Sequence, residues 1–256
     1  MAPWLRAVAA ARLLNGAAGL RGGALRCARA SSSSSAASDE RRRYQAILGG
    51  DGSPLRNEYV ALRHGWSRAN AAGVIVSRIG DGAKAEWGLH ENGAVQAAAA
   101  VGALRAIAGD RPVVILSSDF ARARETADIV AKGLGAAVRD EPRLRERDFG
   151  DLELCAAAGG YEGVWADDAA DSGSAARGVE PVDAVLARGA AAVRDVEAAR
   201  TGACVVLASH GDCLQILQTA FAGVDPRTHR SLPHLDTAAP RRLLVAEWET
   251  VADDEY

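Results

Sequence analysis

The sequence predicts an α/β fold, a three-layer sandwich with a largely parallel central sheet flanked by helices. Two observations carry that prediction. Short apolar runs of strand length, Tyr59–Leu62, Val113–Leu116 and Cys204–Ala208, alternate with longer segments of helical pattern, the arrangement of a parallel sheet built from βαβ units. Each run also ends abruptly in polar residues: Arg63-His64-Gly65, Ser117-Ser118-Asp119 and Ser209-His210-Gly211. Parallel strands point their carboxyl ends the same way, and ligands bind in the crevice outside those ends. The three polar groups are therefore expected to meet in one pocket.

Residues 1–38 stand apart. They hold Arg6, Arg12, Arg21, Arg26 and Arg29, a serine run from Ser31 to Ser35 and no acid before Asp39. That is the composition of a transit peptide for a mitochondrion or plastid, and the arginines interrupt the apolar stretches that a secretory signal would need. Without such a leader the expected location is the cytoplasm. Residues 39–56 read as a linker, 57–250 as a single domain and 251–256 as an acidic tail.

Within the domain, the first strand is Tyr59–Leu62, and Ala71–Gly88, rich in Gly and Ala without a clear period, reads as a loop over the site. Glu91–Ala108 reads as a helix, starting near His90 or Asn92. The strand Val113–Leu116 leads into a helix from Phe120 to Lys132, with Asp119 as its N-cap and Gly133 and Gly135 at its end. Ala137-Val138 suggests a short third strand, and 142–153 is too charged for a core element and reads as an ordered loop. The Gly-, Ala- and Asp-rich stretch near 154–181 reads as a short cap anchored by Tyr161 and Trp165. Val182–Ala199 carries Val185, Leu186, Val193 and Val196 on one broad face, as a packed helix should. Cys204–Ala208, a helix over Asp212–Phe221 and a last strand at Leu243–Trp248 complete the order.

Composition narrows the function. A net charge of −3 with both signs well mixed gives no basic footprint for nucleic acid. No charge-free apolar segment of about twenty residues is present, so no membrane span is expected. Cys27, Cys155, Cys204 and Cys213 form no CxxC pair or metal spacing, which points to free thiols in a reducing compartment and to no metal. Oligomeric state is not written in the sequence.

Arg122 breaks a local rule. It lies in the first turn of its helix, where the macrodipole disfavours a cation by a few tenths to about 1 kcal/mol. An anion held between Arg122 and the free N–H groups of that turn would reverse the penalty. Arg124, two positions on, points away from that face and reads as solvated.

At this point the residues resemble a family. Arg63-His64-Gly65 with Ser67 and Asn70, Ser117-Ser118 followed by Arg122-Ala123 and Glu125-Thr126-Ala127, Leu144-Arg-Glu146 with Phe149-Gly150, and Ser209-His210-Gly211 are similar, in order, to the histidine phosphatase superfamily with its phosphoglycerate-mutase-like fold. The resemblance runs from about Tyr59 to Trp248. It implies a phosphohistidine enzyme without metal or cofactor, acting on a small phosphorylated substrate. His64 would be the nucleophile. Arg63, Arg122 and His210 would stabilise the charge on the phosphoryl oxygens, with Ser67, Asn70 and Gly211 as further phosphate-binding positions. Glu146 matches the family's acid, although Asp148, Asp151 and Glu153 are rivals on chemistry alone. Trp66, His90 and the Gly178-Val179-Glu180-Pro181 stretch depart from the family's pattern; His90 bears on helix capping, and Pro181 stands where a hydroxyl is usual.

Phosphatase is the favoured activity, because the cap is short and rich in acids: Glu162, Asp167, Asp168 and Asp171. A mutase would need to grip a second anionic group and exclude water. Arg143, Arg145 and Arg147 are candidates for steering anions, with a solvated charged loop as the plainer reading. The remaining alternative is a phosphate-binding or interaction protein without catalysis.

Overall fold

In the computed structural model, β1 (Glu58–Arg63) lies beside β4 (Cys204–Ser209) in parallel register, with Leu62 opposite Ala208 and Arg63 opposite Ser209. On its other side β4 pairs with β2 (Val113–Ser117), and β2 with the short β3 (Val138–Asp140), both parallel. The sheet order is β3-β2-β4-β1-β5. All six residues of β4 are buried, as a continuous apolar run requires when helices cover both faces. The structure describes residue 39, residues 42–49 and residues 54–245; the leader and the acidic tail lie outside them.

Side chains alternate between the two faces along each strand. Tyr59, Ala61, Val205 and Leu207 face one core, formed with α7 (Val182–Ala199) and α8 (Gly211–Ala222). Val60, Leu62, Val206 and Ala208 face the other, formed with α4 (Glu91–Ala108) and α5 (Ala121–Leu134). Each fully buried Val or Leu contributes about 1.5–3 kcal/mol, so the central strands are the best anchored part of the molecule. Among the described residues, no helix is long and apolar enough to cross a membrane. Cys155, Cys204 and Cys213 are free thiols.

Several elements differ from expectation. The stretch read as a linker contains α1, residues 42–49, whose Leu48 is fully buried in the α7/α8 core. Ile47 packs against the same core, and Gln45 Nε2 donates to Phe221 O while Arg194 Nη1 donates to Ile47 O. The stretch 71–88, read as a loop, holds the end of α2 (Arg68–Ala72), the short helix α3 (Ile79–Gly82) and a 3-10 turn at Ala85–Trp87. Phe120, not Asp119, occupies the N-cap of α5, because both Asp119 carboxylate oxygens bind Arg145. The last strand, β5, is Arg241–Leu243 and runs antiparallel to β1. Its arginines hold it: Arg242 pairs with Glu58, and Arg241 donates to the carbonyls of Pro233 and His234. An exposed edge strand of this kind needs no apolar run. The cap near 154–181 is built around α6 (Glu162–Ala170).

Candidate active site

The path of the chain makes the crevice. The links from β1 through β2 to β3 run one way across the sheet, and those from β3 to β4 and β5 return the other way. Right-handed parallel crossovers in opposite directions put α4 and α5 on one face and α7 on the other, where α8 packs beside it. The chain leaves β1 toward α4 and leaves β4 into α8, so a gap opens between these two carboxyl ends, the place where such sheets bind ligands. The His64 N–H donates to Ser209 O at 2.9 Å, and the His64 and His210 ring centroids are 5.3 Å apart.

His64 is buried and its tautomer is set locally. Its Nδ1 lies 2.8 Å from the carbonyl of Gly65. A carbonyl only accepts, so Nδ1 carries the proton and Nε2 keeps its lone pair. Burial, then the charges of Arg122 and Arg63, hold the imidazole well below its ordinary pKa. The turn is fixed by a backbone crossing that only glycines allow. A Cβ on Gly65 would lie 2.4 Å from Gly93 O, and one on Gly93 would lie 2.1 Å from Trp66 O. Gly65 N also donates to Thr126 Oγ1, which donates in turn to Arg122 O.

The cations converge from separate elements. Arg122 is buried in the first turn of α5, and its Nη2 donates to Val76 O at 2.9 Å. Burial draws its pKa down to about 10. Arg63 Nη1 reaches Leu235 O and His234 Nε2, each at 3.1 Å. His210 Nε2 pairs with Ser118 Oγ at 2.8 Å, and its ring meets the edge of Phe120. Three buried nitrogens of this group have no hydrogen-bond partner: Arg63 Nε, Arg122 Nη1 and His210 Nδ1. An unpaired buried donor costs about 1–3 kcal/mol, and more when charged. A bound tetrahedral anion would take up both guanidinium donors, and His210 Nδ1 as well in the tautomer in which Ser118 Oγ donates to Nε2.

Glu146 stands apart from its rivals. Its Oε1 accepts from the backbone N–H of Arg147 and of Cys213, at 3.0 and 3.2 Å, which leaves Oε2 outside those bonds. Burial, reinforced by Asp212 and opposed by Arg122, raises its pKa, so the proton is retained more readily. Asp148 is half-exposed and tied to Arg78 and Gly150 N. Glu153 clamps Ser77 and the Arg78 N–H, and Asp151 is exposed.

A family model describing the histidine phosphatase superfamily (branch 1) matches residues 59–252. The chain belongs to the histidine phosphatase superfamily. It is 34% identical over 176 residues to a glucosyl-3-phosphoglycerate phosphatase of Mycolicibacterium vanbaalenii, covering 64% of this chain and 74% of that protein. It is 29% identical over 211 residues to a metal-independent phosphoserine phosphatase of Arabidopsis thaliana, covering 76% and 82%. A "Probable phosphoglycerate mutase GpmB" of Photorhabdus laumondii is 30% identical over 176 residues, covering 67% and 77%. Among solved structures, a mycobacterial glucosyl-3-phosphoglycerate phosphatase in complex with VO3 aligns with TM-score 0.62 and 27% identity, over 72% of this chain and 90% of that one. This histidine phosphatase is a phosphoric monoester hydrolase.

The remaining predicted positions each have partners of their own in this histidine phosphatase. Ser67 is fully buried as the N-cap of α2, and its hydroxyl donates to Asn70 Oδ1 while accepting the Asn70 N–H. Its one proton is therefore committed, and of the Asn70 amide only Nδ2 stays outside this box. Gly211, the first residue of α8, lies against Arg63: a Cβ there would make an ordinary contact with the Arg63 guanidinium at 3.6 Å. The solvated-loop reading of the arginines fails at Arg147, which is fully buried with two 2.7 Å bonds to Asp168. Arg145 pairs with Asp119, and Arg143 with Glu141 and Asp195. Asp168 is accordingly a tether for the cap and not a solvated acid. Arg124 does point outward, to Asp128 and Asp140, and His90 caps α4 by accepting the Asn92 N–H.

Sequence reasoning missed Asp212, His234, Arg188 and Arg230. Asp212 accepts from Trp165 Nε1 at 3.2 Å, and Arg230 lies 3.8 Å over the Trp165 ring. Tyr161 stacks on Trp165 and meets the edge of Phe149. The residue following Ser-His-Gly was the available signal for Asp212; Arg230 and His234 sit in a segment without a readable pattern.

Proposed function

We propose that this hydrolase is a metal-independent phosphatase for small phosphomonoesters, working through a phosphohistidine on His64. The observation that carries the reading is the set of three unmatched buried nitrogens beside a neutral imidazole whose free nitrogen is Nε2. Nε2 attacks phosphorus in line with the leaving oxygen, and the P–N bond forms as the P–O bond breaks. Arg63, Arg122 and His210 hold the charge on the phosphoryl oxygens, with the Asn70 amide and the Gly211 backbone as further contacts. Protonated Glu146 gives its proton to the leaving oxygen. As carboxylate, it then takes a proton from the water that attacks phosphorus and returns His64 to its neutral state.

A cleft of about 740 Å³ borders Glu146, with Ser77, Arg78, Phe120, Arg145 and Asp148 among its lining residues. Walls bearing both charge signs suit a polar or zwitterionic leaving group better than a polyanion. The phospho-sugar acid and phosphoserine named for two relatives are the first substrates to try. The mutase-named relative keeps the second reading in view. Against it, Arg143, Arg145 and Arg147 are each committed to carboxylates, so they are poor grips for a second phosphate.

The full chain should hydrolyse an aryl phosphate in excess chelator. His64→Ala should abolish both turnover and an acid-labile phosphoenzyme. Full activity in that variant would end the mechanism. With 3-phosphoglycerate and trace bisphosphate, isomer formation without free phosphate would mark a mutase, and binding of phosphate without turnover would mark a non-catalytic protein.

A further inference from the structure

We infer that Arg188 is a positioning residue for the general acid, its guanidinium holding the backbone of the loop that carries Glu146. The inference rests on the reading of Glu146 as the proton donor. The loop itself has little to stiffen it: between β3 and the turn at Gly150–Leu152 its only regular piece is the 3-10 turn Pro142–Leu144. A donor in such a loop would wander unless its carbonyls were fixed from outside.

One side chain does this. Arg188 Nη1 donates to Arg143 O at 2.6 Å and to Arg145 O at 2.8 Å, and Nη2 donates to Glu146 O at 3.2 Å. The same guanidinium is held by Glu180, through Nε at 2.8 Å and Nη2 at 3.0 Å. Three loop carbonyls and one carboxylate thus share a single planar fork, a pattern a lysine ammonium with three freely rotating donors cannot reproduce. Arg188 projects from α7, a helix buried against the sheet and α8, so the fork is mounted on a rigid element.

The far side of the loop is fastened to the same partner. Arg147 Nε donates to Glu180 O at 2.6 Å, Glu180 N to Asp148 O at 2.8 Å, and Asp148 N to Glu180 Oε2 at 3.3 Å. With the backbone fixed on both sides and Oε1 held by two N–H groups, the position of Oε2 follows. Glu180 therefore binds both Arg188 and the loop.

The test uses leaving groups of different need. Dinitrophenolate departs without a proton, whereas phenolate requires one, so the ratio of kcat/KM for phenyl phosphate to that for dinitrophenyl phosphate reports on proton donation. In Arg188→Lys this ratio should fall about ten- to a hundredfold, the scale of a misplaced catalytic group. Glu146→Gln should depress it further, and adding Arg188→Lys to Glu146→Gln should lower it no more. Glu180→Gln, which weakens the pair while keeping the fork, should give a smaller fall, and serves if Arg188→Lys does not fold. Equal losses on both substrates, or additive losses in the double variant, would overturn the role of Arg188. An unchanged ratio in Glu146→Gln would instead remove the proton donor itself.

Discussion

Replacing Asp168 by alanine strikes the joint between cap and catalytic loop. Arg147 has no exposed side-chain surface, and its strongest partner is the Asp168 carboxylate, at 2.7 Å through both Nη1 and Nη2. Breaking a buried pair from one side costs about 3–5 kcal/mol, because a desolvated charge is left behind. Here Asp212 remains 3.6 Å from Nη1, and Arg147 Nε keeps Glu180 O. The loss should therefore sit at the lower end, about 3 kcal/mol. At about 2–4 °C per kcal/mol for a domain of this size, the thermal midpoint should drop by about 6–12 °C. Urea unfolding followed by tryptophan fluorescence measures the free energy directly, since Trp165 lies on α6, the helix that carries Asp168. Replacing the pair by Met and Leu, as Arg147→Met with Asp168→Leu, should recover most of the loss. A single variant destabilised by less than about 1 kcal/mol, or a double variant no better than the single, would refute the reasoning.

Further outcomes follow from other contacts. Gly93→Ala puts a methyl 2.1 Å from Trp66 O; it should cost about 1–3 kcal/mol by overpacking and lower kcat by displacing His64, and unchanged kinetics would refute it. Ser67→Ala removes the N-cap of α2 and should cost about 0.5–2 kcal/mol with a rise in KM as Asn70 loosens, read by chemical unfolding and phosphate-ester kinetics. His64 and His210 are held well below the ordinary imidazole pKa by burial and by Arg122. Below about pH 6.5 the unfolded chain binds protons that the folded one refuses, so stability should fall with acidification by up to about 1.4 kcal/mol per pH unit for each ring. Glu146, whose raised pKa retains a proton in the fold, offsets part of this in the opposite sense. The thermal midpoint should drop from pH 7 to pH 5, and His64→Asn with His210→Asn should flatten the profile; a midpoint that rises on acidification would sink it.

The strands were legible because β1, β2 and β4 are continuous apolar runs, and their polar ends announced the crevice. The helices Glu91–Ala108 and Val182–Ala199 have the limits that their patterns suggest. What escaped was set by partners distant in the chain. Asp119 gave up its cap for Arg145, and Arg147 looked like a surface charge because Asp168 and Asp212 are 21 and 65 residues away. The edge strand β5 escaped because backbone pairing to β1 and two arginines define it, not hydrophobicity. At the site, the capping role of Ser67 was not legible because a hydroxyl after a strand suits a phosphate and a helix cap equally well.

The two strands that deliver His64 and the Ser118–Arg122 turn are not bonded to each other; both are ruled off the same neighbour, β4. One template therefore sets the timing of all three arms of the crevice. Deleting a single residue from β4 would shift its far end by about 3.3 Å against both flanks at once and scramble the chemistry. The three-residue margins β3 and β5 carry no such burden, so recombination that trades margins and cap between relatives has an intact engine to build upon.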